Sequence, residues 1–187
     1  MKKLLIFCLA LTMAIPTFSQ EPELSKKEQK ALQKQLKKEQ QADEAKKRML
    51  VTSLMVEHQQ FVLEADQLKD KRGNTVNVSS MINFVACDSV NGVIQIGSNS
   101  YVGMNGVGGI TIEGPIANYK YDLNEKNGTY NVSYNIRSST GTYDVRMSIF
   151  GAGRASATIS SSWPGQVSYS GYLVRPATSK VYKGTSY

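Results

Sequence analysis

From Phe61 onward, apolar and polar residues alternate along most of the chain, and a period of two predicts strands rather than helices. Phe61, Leu63 and Ala65 alternate with Val62, Glu64 and Asp66, and Lys71-Arg72-Gly73-Asn74 supplies a turn. Ile82 to Asp88 reads as a strand, Asn91-Gly92 as a two-residue hairpin turn whose positions both tolerate positive φ, and Val93 to Gly97 as the returning strand. The pattern is cleaner farther on. Tyr119 and Tyr121 share a face, and Asn127-Gly128 turns the chain. Tyr130, Val132, Tyr134 and Ile136 then oppose Asn131, Ser133 and Asn135. After a turn at Thr140-Gly141, Tyr143, Val145, Met147 and Ile149 alternate with Asp144, Arg146 and Ser148. Gly151-Ala152-Gly153 turns the chain again before Ala155, Ala157 and Ile159, and a last strand runs from Gln166 to Val174.

Strands with one apolar and one polar face predict an antiparallel meander. The fold class is therefore mainly β: an up-and-down barrel, or a strongly curved sheet with its apolar face covered. Closure removes the edges that consecutive hairpins would otherwise expose, which favours the barrel. Ala155 and Ala157 beside tyrosines suit a tapering interior.

Before Phe61 the period is different. Ser25 to Gln60 holds no Gly or Pro, is rich in Lys, Glu, Gln, Ala and Leu, and opens with Ser25 and Glu28 in the capping-box spacing. This predicts a long N-terminal helix. A heptad register through Leu32 and Leu36 next meets Glu39, Asp43 and Lys46, so it does not make a coiled coil. From Met49 the apolar density rises, and Met49, Leu50, Leu54, Val56 and Phe61 are expected to face a core.

At the beginning of the chain, Lys2 and Lys3 precede an apolar run from Leu4 to Ile15 that falls short of the roughly 20 residues a span needs. Pro16-Thr17-Phe18-Ser19 ends it with small residues, completing the layout of a secretory signal cut near Ser19. Cys8 lies deep in the apolar run behind Ile6 and Phe7, which is not the setting of a lipidated cysteine. The expected location is the periplasm or the outer membrane. Cleavage leaves Cys87 as the only thiol, so packing must hold the fold without an internal disulfide. The expected organisation is a signal at 1–19, a charged helical arm at 20–48, a β domain with its docking helix at 49–175 and a tail at 176–187.

The formal charge of +7 divides unevenly. Gln20 to Arg48 carries nine Lys/Arg against six Asp/Glu, and the remainder eleven against nine. The globular part is nearly balanced, and no basic and aromatic residues interleave as a base-stacking platform would require, which argues against nucleic acid as a partner. The lysine-rich arm is suited to weak contact with an anionic membrane surface.

Catalytic signals are sparse. His58 is the only histidine and sits among Glu57, Gln59 and Gln60 on the predicted helix surface, so no metal or cofactor site is expected. Gly103, Gly106, Gly108 and Gly109 lack the pattern of a dinucleotide or phosphate loop and read as a flap between Tyr101 and Ile110. Glu64 with Asp66, and Asp122 with Glu125, read as solvated strand ends. The tyrosines are the most suggestive feature: Tyr101, Tyr119, Tyr121, Tyr130, Tyr134, Tyr143 and Tyr169 are candidates to line a ligand cavity, against ordinary cross-strand packing. Trp163-Pro164-Gly165 reads as a turn.

Phe61-Val62-Leu63-Glu64-Ala65, Cys87-Asp88-Ser89-Val90, Gly108-Gly109-Ile110 followed by Gly114-Pro115-Ile116, Tyr143-Asp144-Val145 and Ser168-Tyr169-Ser170-Gly171-Tyr172 together resemble the family called domain of unknown function 4251, over about residues 45 to 175. The resemblance implies a small extracytoplasmic domain of Bacteroidetes-type bacteria with a lipocalin-like barrel. It implies no activity and no catalytic residues, and the lipobox of some relatives is not matched here. In such bacteria Asp88-Ser89-Val90 also resembles an O-glycosylation context, which makes Ser89 a candidate modification site. The expected function is noncatalytic envelope binding of a small apolar or glycan ligand in the barrel. The alternative is a structural domain with a filled core that contacts another envelope protein.

Overall fold

The computed structural model describes residues 25–100, 103, 105–151, 153–161 and 165–186; the predicted signal, Tyr101 and Trp163-Pro164 lie outside them. The chain divides into two units between Glu39 and Gln40.

Helix α1 spans Lys26–Glu57 and opens with the expected capping box. The Ser25 N–H donates to Glu28 Oε2 at 2.9 Å, and the Glu28 N–H donates to Ser25 Oγ at 3.3 Å. In the first unit, its turns from Lys26 to Glu39 are exposed on all sides. In the second unit, Thr52, Met55 and Val56 are the buried residues of the helix, at the i, i+3, i+4 spacing of a single stripe. Met49, Leu50 and Leu54, expected to face the core, are exposed, Leu50 by 62%, because Leu50 and Leu54 fall on the side of the helix opposite that stripe.

Among the described residues nine strands follow: β1 Gln60–Asp70, β2 Thr75–Asn77, β3 Phe84–Asp88, β4 Asn91–Ile96, β5 Ile110–Asn124, β6 Thr129–Ser138, β7 Gly141–Ile149, β8 Arg154–Ser161 and β9 Gln166–Val174. β1 and β3 to β9 pair antiparallel in sequence order, and β9 pairs back onto β1 from Val62↔Val174 to Asp70↔Val167. Eight strands thus close an up-and-down barrel, as the edge argument favours, and β2 adds three residues beside the far end of β1. A bulge between Ala65 and Gln67 shifts the inward series of β1 from Phe61, Leu63 and Ala65 to Leu68.

The β3–β4 hairpin differs from the sequence expectation. The strand begins at Phe84 rather than Ile82, and the turn falls at Ser89-Val90, where Ser89 takes φ 75°. Asp88 Oδ1 accepts the N–H groups of Val90 at 3.1 Å and Asn91 at 2.6 Å, so the aspartate organises the turn, ahead of the Asn91-Gly92 pair. Gly92 lies inside β4 opposite Cys87 for a packing reason: a Cβ there would stand 2.5 Å from Ile136 Cδ1.

Tyr130, Val132, Tyr134 and Ile136 point inward and are buried, as the alternation predicts, together with Val145, Met147, Ile149 and Ile159. Tyr169 stands opposite Ala157, whose small side chain leaves room for the ring, and its hydroxyl donates to the Gln95 carbonyl at 3.2 Å. The middle of the barrel is filled.

The C-terminal segment straps the outside of the barrel wall. Ser179 Oγ and the Lys180 N–H donate to Glu64 Oε1 on β1. The Thr185 N–H donates to the Asn105 carbonyl at 3.0 Å, and Lys183 Nζ and Ser186 Oγ each reach Glu113 on β5 at 2.8 Å. Beneath the strap Gln95 is fully buried on the outer face of β4. Its Nε2 donates to the carbonyls of Ile82 at 3.1 Å and Tyr182 at 2.8 Å. Its Oε1 accepts from Thr111 Oγ1 at 3.0 Å and the Gly184 N–H at 2.8 Å.

Candidate functional site

Alternation on β4 and β5 builds the mouth of the barrel. With Gln95 and Thr111 turned outward beneath the strap, Ile94 and Ile96 on one strand and Ile110 and Ile112 on the next turn inward, in the register Ile94↔Ile112 and Ile96↔Ile110. β5 pairs with β6 only from Ile116 onward, so its first residues run beyond the β6–β7 hairpin and leave the barrel open on that side. Tyr143 of β7, Ile159 of β8 and Val167 of β9 complete an apolar cavity of about 570 Å³. Ile94 and Ile112 are buried in it, whereas Ile110 is 41% exposed. Thr140, Ser160, Ser161 and Gln166 edge it, and Tyr143 Oη shares a 3.0 Å hydrogen bond with Thr140 Oγ1. A cavity of this size, apolar with a few polar groups at its edge, is of the kind that holds a small molecule.

A larger depression, about 740 Å³, lies over Lys120, Asp122, Asn131, Ser133, Arg146 and Ser148 on the outside of the barrel. Tyr121, Val132 and Met147 also line it, but charged and amide side chains make its surface nearly as polar as it is apolar, whereas the mouth is mostly apolar. The mouth is therefore the stronger candidate.

The tyrosines do not converge on this cavity. Tyr143 alone among the described candidates lines it. Tyr119, Tyr121 and Tyr134 cluster at the opposite end, beside the end of α1. Tyr119 stacks on Tyr134 with ring centroids 5.8 Å apart, lies 6.4 Å from Tyr121, and donates its hydroxyl to the Val56 carbonyl at 2.7 Å. Phe61 meets Tyr134 edge-on at 6.5 Å. Tyr130 is buried opposite Ile149, and Tyr169 fills the middle. Burial pushes the hydroxyls of Tyr119, Tyr134 and Tyr169 well above the ordinary tyrosine range and keeps them neutral. The Tyr134 hydroxyl is buried without a hydrogen-bond partner.

Ser89 is exposed in its turn, but its hydroxyl is engaged: Oγ donates to the His58 carbonyl at 2.8 Å while its N–H donates to the Gln59 carbonyl at 2.8 Å, so the β3–β4 turn satisfies the end of α1. Glu64 and Asp66, read from the sequence as solvated, are engaged as well. Glu64 holds the strap, and Asp66 takes both terminal nitrogens of Arg154 at 3.0 and 3.2 Å. Cys87 is buried in the core, and desolvation pushes its thiol up to about 12, with the neighbouring Asp88 charge adding to the rise. Among the described residues, no group of three or more His, Cys, Asp or Glu side chains could hold a metal.

The residues that sequence reasoning missed are the isoleucines. Ile94-Gln95-Ile96 and Ile110-Thr111-Ile112 carry the same period-two signal as the later strands, and each is interrupted by a single polar residue. That repetition marks two adjacent walls of one cavity once the strands pair.

No curated protein matches the chain. Among solved structures, it is similar to the crystal structure of a DUF4251 family protein from Bacteroides eggerthii DSM 20697. The two share 29% sequence identity with a TM-score of 0.61, and the match covers 75% of this chain and 95% of that one. The model of the family described as "Domain of unknown function (DUF4251)" matches residues 37–173, which includes every strand that lines the mouth, and the chain belongs to that family.

Proposed function

We propose that this is an exported, noncatalytic envelope protein whose barrel mouth binds a small apolar ligand. The observation that carries the reading is the 570 Å³ cavity walled by Ile94, Ile96, Ile110, Ile112, Ile159 and Val167 in a barrel that is otherwise filled. Transfer of an alkyl group into such a site contributes about 0.8 kcal/mol per buried methylene. The noncatalytic part of the reading is supported by a protonated, buried Cys87 and by acids committed to Arg154 and to the strap. Export is supported by the signal layout at Lys2 to Ser19. The exposed lysine-rich turns of α1 support an accessory contact with anionic envelope surfaces.

A second reading, a protein-interaction domain, is favoured by the other end of the barrel. There the interior is packed with aromatic rings, and Met49, Leu50, Leu54, Phe150 and Tyr172 are exposed. Native mass spectrometry of the protein purified from its own envelope, with denaturing mass spectrometry alongside, separates the two. A small noncovalent mass that leaves on denaturation is the expected result, and the denatured mass is expected to correspond to a chain beginning at Gln20. A bare chain that takes up no apolar probe would overturn the ligand reading, and a copurifying protein lost on Leu50→Glu substitution would establish the second.

A further inference from the structure

The mouth is apolar, and it is also free of charge. Among the described residues that line it there is no Asp, Glu, Lys, Arg or His. In the sequence, residues 97–109 between β4 and β5, 139–140 between β6 and β7, and 162–165 between β8 and β9 likewise contain no Asp, Glu, Lys, Arg or His, although 20% of the chain is charged. Lys69 and Asp70 end β1, where Asp70 pairs with Val167, but the exposed Asp70 carboxylate accepts from the Arg72 and Asn74 N–H groups and from Asn74 Nδ2 in the turn to β2 and is not part of the lining.

We propose that the mouth selects an alkyl amphiphile with an uncharged polar head, such as a hydroxyl or ester, over fatty acids, cationic amphiphiles and sugars. This rests on the reading of the mouth as a ligand site. The isoleucines and Val167 are branched aliphatics that fit an alkyl body. A sugar ring would need aromatic plates to stack on, and the described lining offers only Tyr143. At the rim, the hydroxyls of Thr140 and Tyr143 supply donors and acceptors suited to a neutral head. An ionised head brought to the same place loses hydration without gaining a counter-charge, so it is disfavoured however well its chain fits.

The test compares three probes with the same twelve-carbon body, each below its micelle concentration at neutral pH: monolaurin, laurate and dodecyltrimethylammonium. Each is titrated calorimetrically into the full chain, with dodecyl-free maltose as the sugar control. Monolaurin is expected to bind at least tenfold more tightly than either ion, and maltose is expected not to bind. In Ile110→Lys, which places a cation at an exposed rim position, laurate is expected to gain at least tenfold and monolaurin to lose. Laurate binding the unmodified chain as tightly as monolaurin would overturn the charge selection while leaving the mouth a ligand site. Failure of all three amphiphiles would overturn both.

Discussion

The Gln95 side-chain amide donates to the Tyr182 carbonyl at 2.8 Å, which ties the outer face of β4 to the C-terminal strap. Gln95 lies between Ile94 and Ile96, so the same three residues wall the cavity on one side and hold the strap on the other. Gln95→Leu keeps the volume but leaves the Tyr182 and Ile82 carbonyls and the Gly184 N–H without their partner. It is expected to lower stability by at least about 3 kcal/mol, measured as a lower denaturant midpoint, because each of the three buried orphans costs about 1–3 kcal/mol. A loss below about 1 kcal/mol would mean that the strap peels off and resolvates those groups. Amide exchange along Val181–Ser186 would show that directly.

Gly92 belongs to a strand and not to a turn, and a substitution distinguishes the two. Gly92→Ala directs a methyl group at Ile136, 2.5 Å from Cδ1 and 2.7 Å from Cγ1. The expected cost is about 1–3 kcal/mol from overpacking. Adding Ile136→Val removes the nearer atom and should recover part of the loss in a double-mutant cycle. Purely additive effects would place Gly92 in a role unrelated to Ile136.

Much of the fold was legible in the sequence because its strands have one apolar and one polar face. Tyr130 to Ile136 and Tyr143 to Ile149 needed only the period, and the Ser25/Glu28 cap needed only the spacing. The turn at Ser89-Val90 was not legible, because Asp88 organises it with a side-chain acceptor and a serine, not Gly92, takes the positive φ. The mouth was hidden for another reason. Tyrosines draw attention by their polar tips, but in this barrel depth along the axis decides which side chains line space, and depth follows from the pairing of distant strands. Gln95 would read as the polar, solvent-facing member of β4. It is buried because residues 179–186 cross over it.

Ser89 offers a second local test. Ser89→Ala removes the hydroxyl that donates to the His58 carbonyl but keeps a Cβ at φ 75°, and is expected to cost about 1 kcal/mol. Ser89→Gly removes the same hydroxyl but relaxes the backbone, and should cost less than the alanine substitution. Thermal melts of the two variants rank them. Equal losses would mean that the backbone at Ser89 carries no strain.

The Glu113–Lys183 pair makes the strap sensitive to acid. Hydrogen bonds from Lys183 first, and then from Ser186, hold the Glu113 carboxyl below its usual range. A carboxyl whose pKa is lowered by folding contributes stability above its unfolded pKa and loses it as the pH falls through the folded value. Amide exchange of Gly184 and Thr185 should therefore accelerate, beyond the intrinsic change, as pH drops below the ordinary glutamate range. Glu113→Gln should flatten that response. An unchanged profile in the variant would place the acid response elsewhere.

Tyr134 decides whether the buried tyrosines have any part in binding. Its hydroxyl is fully enclosed beside Tyr119 and Phe61 with no partner, and an unpaired buried hydroxyl costs about 1–3 kcal/mol. Tyr134→Phe removes the orphan without leaving a cavity, so its denaturant midpoint should stay level or rise, with apolar-probe affinity unchanged because the mouth lies at the other end of the barrel. A fall in stability would reveal a bonded partner for the hydroxyl in solution. A fall in probe affinity with stability intact would move the binding site from the isoleucine mouth to the aromatic end, and the selection by charge argued from the mouth would have to be abandoned with it.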